Sequence, residues 1–233
     1  MKTFTRARQP EQKEERRAHL LGTARAMLEE GASLHDVSLS ELARRAAMTK
    51  SNVYRYFESR EAVLLALLVE EWLAWFSALK RGWRGPPRAA DGDAALEHLA
   101  RHLARTLAAR PSLCLLTSAV PQVLEQNLSE AAIREFKLLS LAHFDEVAAF
   151  MTERAPLLSP AGAVTLMHDA VAAITGLYPA THPSAAAARA LDDPALCGAR
   201  RDFARELERF VCALARDAVR QRARSARGER DAR

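Results

Sequence analysis

Apolar residues recur along most of the chain at intervals of three and four, the period that sets one face of a helix, so the pattern predicts helices throughout. A first helix is expected from Glu11 to Glu30, with Leu20, Leu21, Ala24, Met27 and Leu28 as its stripe and Gly31 as its stop. Residues 1–10, with Lys2, Arg6 and Arg8, read as a mobile basic arm. In Ser38-Leu39-Ser40-Glu41 the spacing is that of a capping box, the Ser38 hydroxyl accepting from the Glu41 N–H and the Glu41 carboxylate reaching back to the Ser38 N–H. Leu39, Leu42, Ala43 and Ala46 then point inward and leave Arg44 and Arg45 outside. Ala47-Met48 make a turn, Thr49 caps a second short helix, and Val53 and Phe57, four apart, form its inward face. Ser59 caps a long helix that is apolar on several sides, from Val63 through Leu79, which predicts burial between other elements.

Further along, Gly82 to Gly92 reads as a loop, and Asp93 is expected to cap a helix reaching about Arg110. Pro111 opens a turn or two through Val120, and Pro121 a short piece ending near Asn127. An amphipathic helix is expected from about Leu128 to Arg154 and another from Pro160 to Tyr178. The stretch 179–199 has little pattern and reads as an extended loop. The last helix is expected from about Arg200 to Arg222, with Phe203, Leu207, Phe210, Val211, Leu214 and Val219 on one face. The organisation is all-α: a three-helix head over 1–57, a helical body over 58–224 and a basic tail over 225–233.

The free face of the second short helix carries the chemistry. Lys50 can donate to the O6/N7 edge of guanine and Asn52 can pair with adenine N6 and N7 in the major groove. Ser38, Ser40, Tyr54, Tyr56 and Arg60 suit phosphate contacts, and Arg44, Thr49, Ser51 and Arg55 complete the set. A solvated helical hairpin would explain the basic residues, but not an outward Tyr54–Tyr56 pair beside them. A short helix with this face suits a DNA groove.

Composition agrees without deciding. The chain has 233 residues, 34 Lys and Arg against 29 Asp and Glu, and a pI near 9.4, a balance that suits an anionic partner. Cys114, Cys197 and Cys212 are widely spaced, with no metal-ligand pattern and no disulfide framework, which suggests a reducing compartment. The N-terminus lacks the apolar core of a signal peptide, and the apolar run from Ala161 to Leu177 is interrupted by His168 and Asp169, so no membrane span is expected and the cytoplasm is the expected address. No histidine has a Glu three residues before it, and between His98 and His102 stand Leu99, Ala100 and Arg101, so neither a di-metal carboxylate bundle nor an H-E-x-x-H zinc site is present. These features argue against an enzyme, and no metal or cofactor is expected.

Gly31 ending one helix, Ser38 capping the next, Leu42-Ala43, Ala46 before the turn, then Val53-Tyr54-x-Tyr56-Phe57 and Ser59-Arg60-Glu61 resemble the N-terminal domain of the tetracycline-repressor (TetR/AcrR) family in order and spacing. The likeness covers about the first quarter of the chain. It departs where the family usually has Gly and this chain has Ala47 in the turn, where Ser51 stands for a common Gly, and where Arg60 stands for Lys. Ala47 must either avoid a positive φ or accept strain.

The resemblance implies a homodimeric, ligand-responsive regulator, most often a repressor, that binds a palindromic double-stranded operator and is released by a small effector. It implies that the last two long helices pair with their twins. Ala163, Met167, Ala170, Ile174, Phe203, Leu207, Phe210 and Leu214 are the expected interface residues. An effector cavity among the middle helices would be lined by Trp72, Trp75, Phe76, Leu103, Phe136, Phe144, Met151 and Met167, with His98, His102, His143 and His168 as oriented polar groups, which suits a largely apolar ligand. The alternative is a partner-binding bundle that keeps the helix-turn-helix shape without specific DNA binding.

Overall fold

A computed structural model describes residues 4–86 and 91–231, with the side chains of residues 11–86 and 91–220. Its helices are α1 (Phe4–Glu29), α2 (Leu39–Arg45), α3 (Lys50–Tyr54), α4 (Arg60–Gly82), α5 (Gly92–Ala108), α6 (Pro111–Ala119), α7 (Glu130–Arg154), α8 (Pro160–Thr181), α9 (Ala185–Ala190) and α10 (Phe203–Asp231). Two 3-10 turns stand at Leu124–Asn127 and Pro194–Ala199, and no strand occurs among the described residues. The chain forms two compact units, one of residues 1–71 and 119–136, the other of 72–118 and 137–233.

In the first unit, Leu20, Leu21, Ala24 and Met27 of α1, Leu42 of α2, Val53 of α3 and Val63, Leu64, Leu67 and Leu68 of α4 are buried, as their spacing requires. Both turns that shape the head are closed in the same way. After α1, Ala32 N–H donates to Met27 O (3.0 Å) and Gly31 N–H to Leu28 O (3.1 Å), with Gly31 at φ 91°. After α2, Met48 N–H donates to Ala43 O (2.8 Å) and Ala47 N–H to Arg44 O (3.3 Å), with Ala47 at φ 52°. The second turn thus accepts the left-handed strain that glycine would avoid. Arg25 of α1 donates to Glu70 (2.7 Å) and Glu71 (2.9 Å) of α4. The segment 119–136 is tied in where Asn127 donates to Glu61 (3.4 Å) and the Ser129 hydroxyl to Glu58 (3.4 Å).

In the second unit α10 packs along both α5 and α8. Leu96, Leu99, Leu103 and Leu107 of α5 meet a core that includes Leu166, Met167 and Ile174 of α8 and Leu207, Val211 and Ala215 of α10. Trp75 is fully buried, and its indole N–H donates to the Thr106 hydroxyl (3.1 Å). By length and composition α4, rather than Ala161–Leu177, could cross a membrane. Half of its apolar window is buried inside the protein.

Several expected boundaries move, each for a local reason. Helix α1 begins at Phe4, so the expected arm is helical backbone from that residue; Lys2 and the side chains of Arg6 and Arg8 lie outside the described residues. Only half of the capping box forms: Glu41 N–H donates to Ser38 Oγ (3.2 Å), but the Glu41 carboxylate is taken by arginines and Ser38 N–H donates to Asp36 O (2.9 Å). Asp91, not Asp93, caps α5, accepting from Ala94 N–H (2.8 Å). Helix α8 continues through Pro179 to Thr181, because a proline in the last turn forfeits a single backbone bond. The stretch 179–199 is not an extended loop. It holds α9 and a 3-10 turn, capped by Ser184 and Asp193. An alanine-rich, wholly exposed helix has no apolar stripe and therefore no period to read. Arginine and alanine, strong helix formers, also carry α10 to Asp231, past the expected end at Arg222 and through most of the expected tail.

Candidate nucleic-acid interface

Thr49 opens α3, its hydroxyl accepting from Asn52 N–H (3.3 Å) and lying 3.0 Å from Ser51 Oγ. Val53 and Phe57 anchor the helix, at 0% and 5% exposure. That leaves Lys50, Ser51, Asn52, Tyr54 and Arg55 on the exposed side, with Tyr54 at 52% exposure and Tyr56 half-buried. A tyrosine held half in water beside basic groups gains nothing from the core, which is what a surface awaiting a partner looks like.

The cations of the expected set divide into two kinds. Lys50 and Arg55 have no carboxylate partner among the described residues. Arg44 is not a free cation: it forks onto Glu41 through Nε (2.8 Å) and Nη2 (2.5 Å), while Arg45 donates to Glu41 (3.0 Å) and pairs with Glu30. Hydrogen bonds from Arg44 and then Arg45 hold the Glu41 carboxyl at about 2, against an ordinary 4.5. Arg60 is likewise committed, to the buried Glu61 through Nη2 (2.7 Å). Burial, the largest single influence, would raise the Glu61 pKa; the hydrogen bonds and charge of Arg60, with a backbone hydrogen bond and Asn127, together outweigh it and lower it. Ser40 is exposed, whereas the Ser38 hydroxyl serves as the α2 cap.

The structure adds residues that periodicity assigned only to a bracing helix. Gln12, Lys13 and Arg16 of α1 line a groove of about 600 Å³ with Met48, Asn52, Arg55 and Tyr56. The polar face repeating at Gln12, Lys13 and Arg16 was the available signal, but nothing local says that α3 lies beside it. Arg17, one position on, lies over the Phe57 ring, 5.3 Å from its centroid.

The candidate effector residues do not form one lining. Trp72 meets Trp75 edge-on at 5.2 Å and Phe144 at 6.0 Å, and Phe144 meets His168 at 4.8 Å. Phe76 contacts Phe150 (6.2 Å), and His98 and His102 both contact Trp83 (5.1 and 5.4 Å), which follows the end of α4. His102 Nε2 lies 2.9 Å from Leu79 O, so its Nε2–H tautomer donates there. His143 Nε2 is buried with no hydrogen-bond partner among the described residues. Trp75, Leu103, Met151 and Met167 are closed into the core, and Phe136 belongs to the first unit, not the second.

The expected interface residues divide by burial within the single chain. Ala163, Met167, Ala170, Ile174 and Leu207 are buried by packing within one protomer and have no surface left for a second, and Phe203 is nearly so. Phe210 (37% exposed) and Leu214 keep area on α10. On α8 the outward side is Ala161, Thr165, His168, Ala172 and Gly176. A helix in a packed core spends one face inside its own chain, and the inward stripe was the more conspicuous one. Among the described residues no group of three or more His, Cys, Asp or Glu side chains is placed to hold a metal ion. Burial pushes the Cys114 thiol up to about 12, which makes it unreactive.

A short helix seated on a capped partner across a tight turn, polar and basic on its free side and braced by α1, defines a DNA-binding protein of the helix-turn-helix class. The chain belongs to the TetR family of regulators: a family model described as bacterial regulatory proteins, tetR family, matches residues 20–67, and one described as tetracyclin repressor-like, C-terminal domain, matches residues 69–216. It is therefore a TetR-family transcriptional regulator. Among solved structures, a TetR regulator from Rhodococcus sp. RHA1 is similar at 18% identity and TM-score 0.51, over 87% of this chain and 95% of that one. A TetR/AcrR regulator from Thermobifida fusca YX-ER1 shows 21% identity and TM-score 0.49, over 86% and 96%. The fatty acid degradation regulator FadR from Bacillus halodurans shows 17% and 0.48, over 87% and 94%. At 18% identity the Rhodococcus structure shows the fold alone. No curated protein sequence matches the chain.

Proposed function

We propose that this regulator is a homodimeric repressor that reads a palindromic operator with α3 and is released by a small, largely apolar effector. The observation that carries this is the disposition of α3, with Val53 and Phe57 inside and Lys50, Asn52, Tyr54 and Arg55 outside. In this reading Lys50 and Asn52 contact base edges. Ser40, Thr49, Ser51, Tyr54, Arg55 and Tyr56, joined by Lys13 and Arg16, contact phosphates. Arg44 and Arg60 act mainly through Glu41 and Glu61, as struts of the head, and Ser38 as a cap.

Functionally the head is residues 1–57, the effector and dimerisation body 58–224, and 225–233 an appendage; the protein acts in the cytoplasm, where the operator is. Two copies pair through the outward faces of α8 and α10, which brings two reading helices to half-sites about 34–36 Å apart. The cluster of Trp72, Phe144 and His168 is the feature of the body best suited to a flat apolar ligand. An effector acts only through its preference for the non-binding form, and full reversal of the population needs about 5.5 kcal/mol of that preference.

The test is selection of a binding sequence from random duplex DNA, followed by affinity at several salt concentrations. A two-fold-related consensus with half-sites one turn apart supports the reading. Recovery of no consensus, with weak and strongly salt-dependent binding only, rejects it and leaves a partner-binding bundle of the same shape.

A further inference from the structure

A further basic surface stands on helices far from α3 in sequence. Helices α5 and α10 border a groove of about 980 Å³ lined by seven arginines and four carboxylates; Arg200 is paired with Asp192 outside the lining, which leaves an excess of two positive charges. We propose that this groove binds a compact polyanion with two or more linked phosphate groups.

The charge is in excess because the carboxylates are shared. Glu97 is divided between Arg101 (2.5 Å) and Arg216 (3.3 Å), Glu208 between Arg101 (3.5 Å) and Arg105 (3.9 Å), and Glu206 between Arg201 (3.3 Å) and Arg209 (2.7 Å). Asp202 is spent as the cap of α10, accepting from Arg205 N–H (2.7 Å). The Arg205 guanidinium has no carboxylate partner among the described residues, and Arg105, 71% exposed, has Glu208 only at the limit of contact. Each guanidinium offers five N–H donors, so three shared carboxylates leave most of them to water.

Geometry favours linked phosphates over a single one. Arg101 and Arg105 stand one helical turn apart on α5, as Arg205 and Arg209 do on α10, each pair spanning about 6 Å of helix axis. Arg101 and Arg209 are held by carboxylates, while Arg105 on one wall and Arg205 on the other have none close by, so a free fork on each side suits two linked phosphates, which guanidinium binds bidentately. The positive end of α10, beginning at Phe203, adds to the field in which Arg201 and Arg205 lie. The groove is of the size that holds a small molecule.

Titration calorimetry of the full chain with inorganic tripolyphosphate at about 0.15 M salt, where exposed charges are screened beyond about 8 Å, tests this. One saturable site per chain is expected, weakened at least tenfold in Arg105→Gln/Arg205→Gln and unchanged in Arg55→Gln, whose basic surface is the reading head. Both variants should melt like the parent without ligand, since the replaced side chains are exposed. Equal affinity for tripolyphosphate and adenosine triphosphate would mark free polyphosphate as the ligand; tighter adenosine triphosphate binding, lost in the double variant, would mark the phosphate end of a nucleotide. The proposal is overturned if no saturable binding occurs or if orthophosphate binds as well. It is equally overturned if the double variant binds tripolyphosphate normally, or if it loses affinity for duplex DNA alone.

Discussion

Replacing Ala47 by glycine should stabilise the reading head. Ala47 sits at φ 52° as the residue that closes α2, and a Cβ in that region costs about 1–2 kcal/mol. Glycine removes the clash but enlarges the freedom of the unfolded chain, a loss of about 0.4–1 kcal/mol. The balance is a gain of about 0.5–1 kcal/mol. The two turn bonds, Met48 N–H to Ala43 O and Ala47 N–H to Arg44 O, need no side chain and remain. The tryptophans at 72, 75 and 83 all lie in the other unit, so their fluorescence is the wrong probe. Amide hydrogen exchange at Met48 reads the turn directly. A gain of that size slows opening roughly two- to fivefold, because 1.4 kcal/mol corresponds to a factor of ten. Ala47→Val should do the reverse, since a β-branched residue is a worse fit at positive φ. Unchanged or faster exchange in Ala47→Gly would refute the left-handed turn and with it the assignment of strain.

Three further outcomes are expected. Lys50→Ala and Asn52→Ala should relax base preference at one position of each half-site, at a cost of about 1–3 kcal/mol, whereas Arg16→Ala and Arg55→Ala should weaken all sequences alike and lower the salt slope by about 1; competition binding at graded salt separates the two patterns. Glu41→Gln should lower the melting temperature at neutral pH. Its folded pKa is depressed from 4.5 to about 2, so the contribution is complete above 4.5 and is lost as pH falls through about 2; thermal melts at graded pH should show the gap to the parent closing over that window, and a gap that persists below it would exclude the Arg44–Glu41–Arg45 cluster as its source. Phe210→Glu should shift the protein to monomer in light scattering after gel filtration and weaken operator binding, while Ile174→Val, inside the protomer, should leave the assembly intact.

Much of the head was legible because its signals are local. Gly31, Ser38, Thr49 and Ser59 act on groups within a few residues, and Val53 and Phe57 share a face whatever surrounds them. The same locality explains the errors. Asp93 was credited with a cap that Asp91 makes, since both lie just ahead of the apolar stripe. Helix α9 was missed because four alanines in a row have no amphipathic period. In the body, inward-facing Ala163, Met167 and Ile174 looked like an interface because a small apolar stripe reads alike whether it meets its own chain or a second one.

By itself the sequence determined an all-helical chain with a capped helix-turn-helix head and the polar side of α3, because backbone hydrogen bonds and side-chain period reach only three to five residues. Tertiary structure decided which residue each of those surfaces meets. It placed Lys13 and Arg16 beside Asn52 and Arg55, committed Arg60 to Glu61, buried Ala163, Met167, Ala170, Ile174 and Leu207 inside the protomer, and brought arginines of α5 and α10 to one groove. Charge pairing and burial depend on distances through space between residues far apart in the chain, and the order of residues does not encode those distances until helices pack.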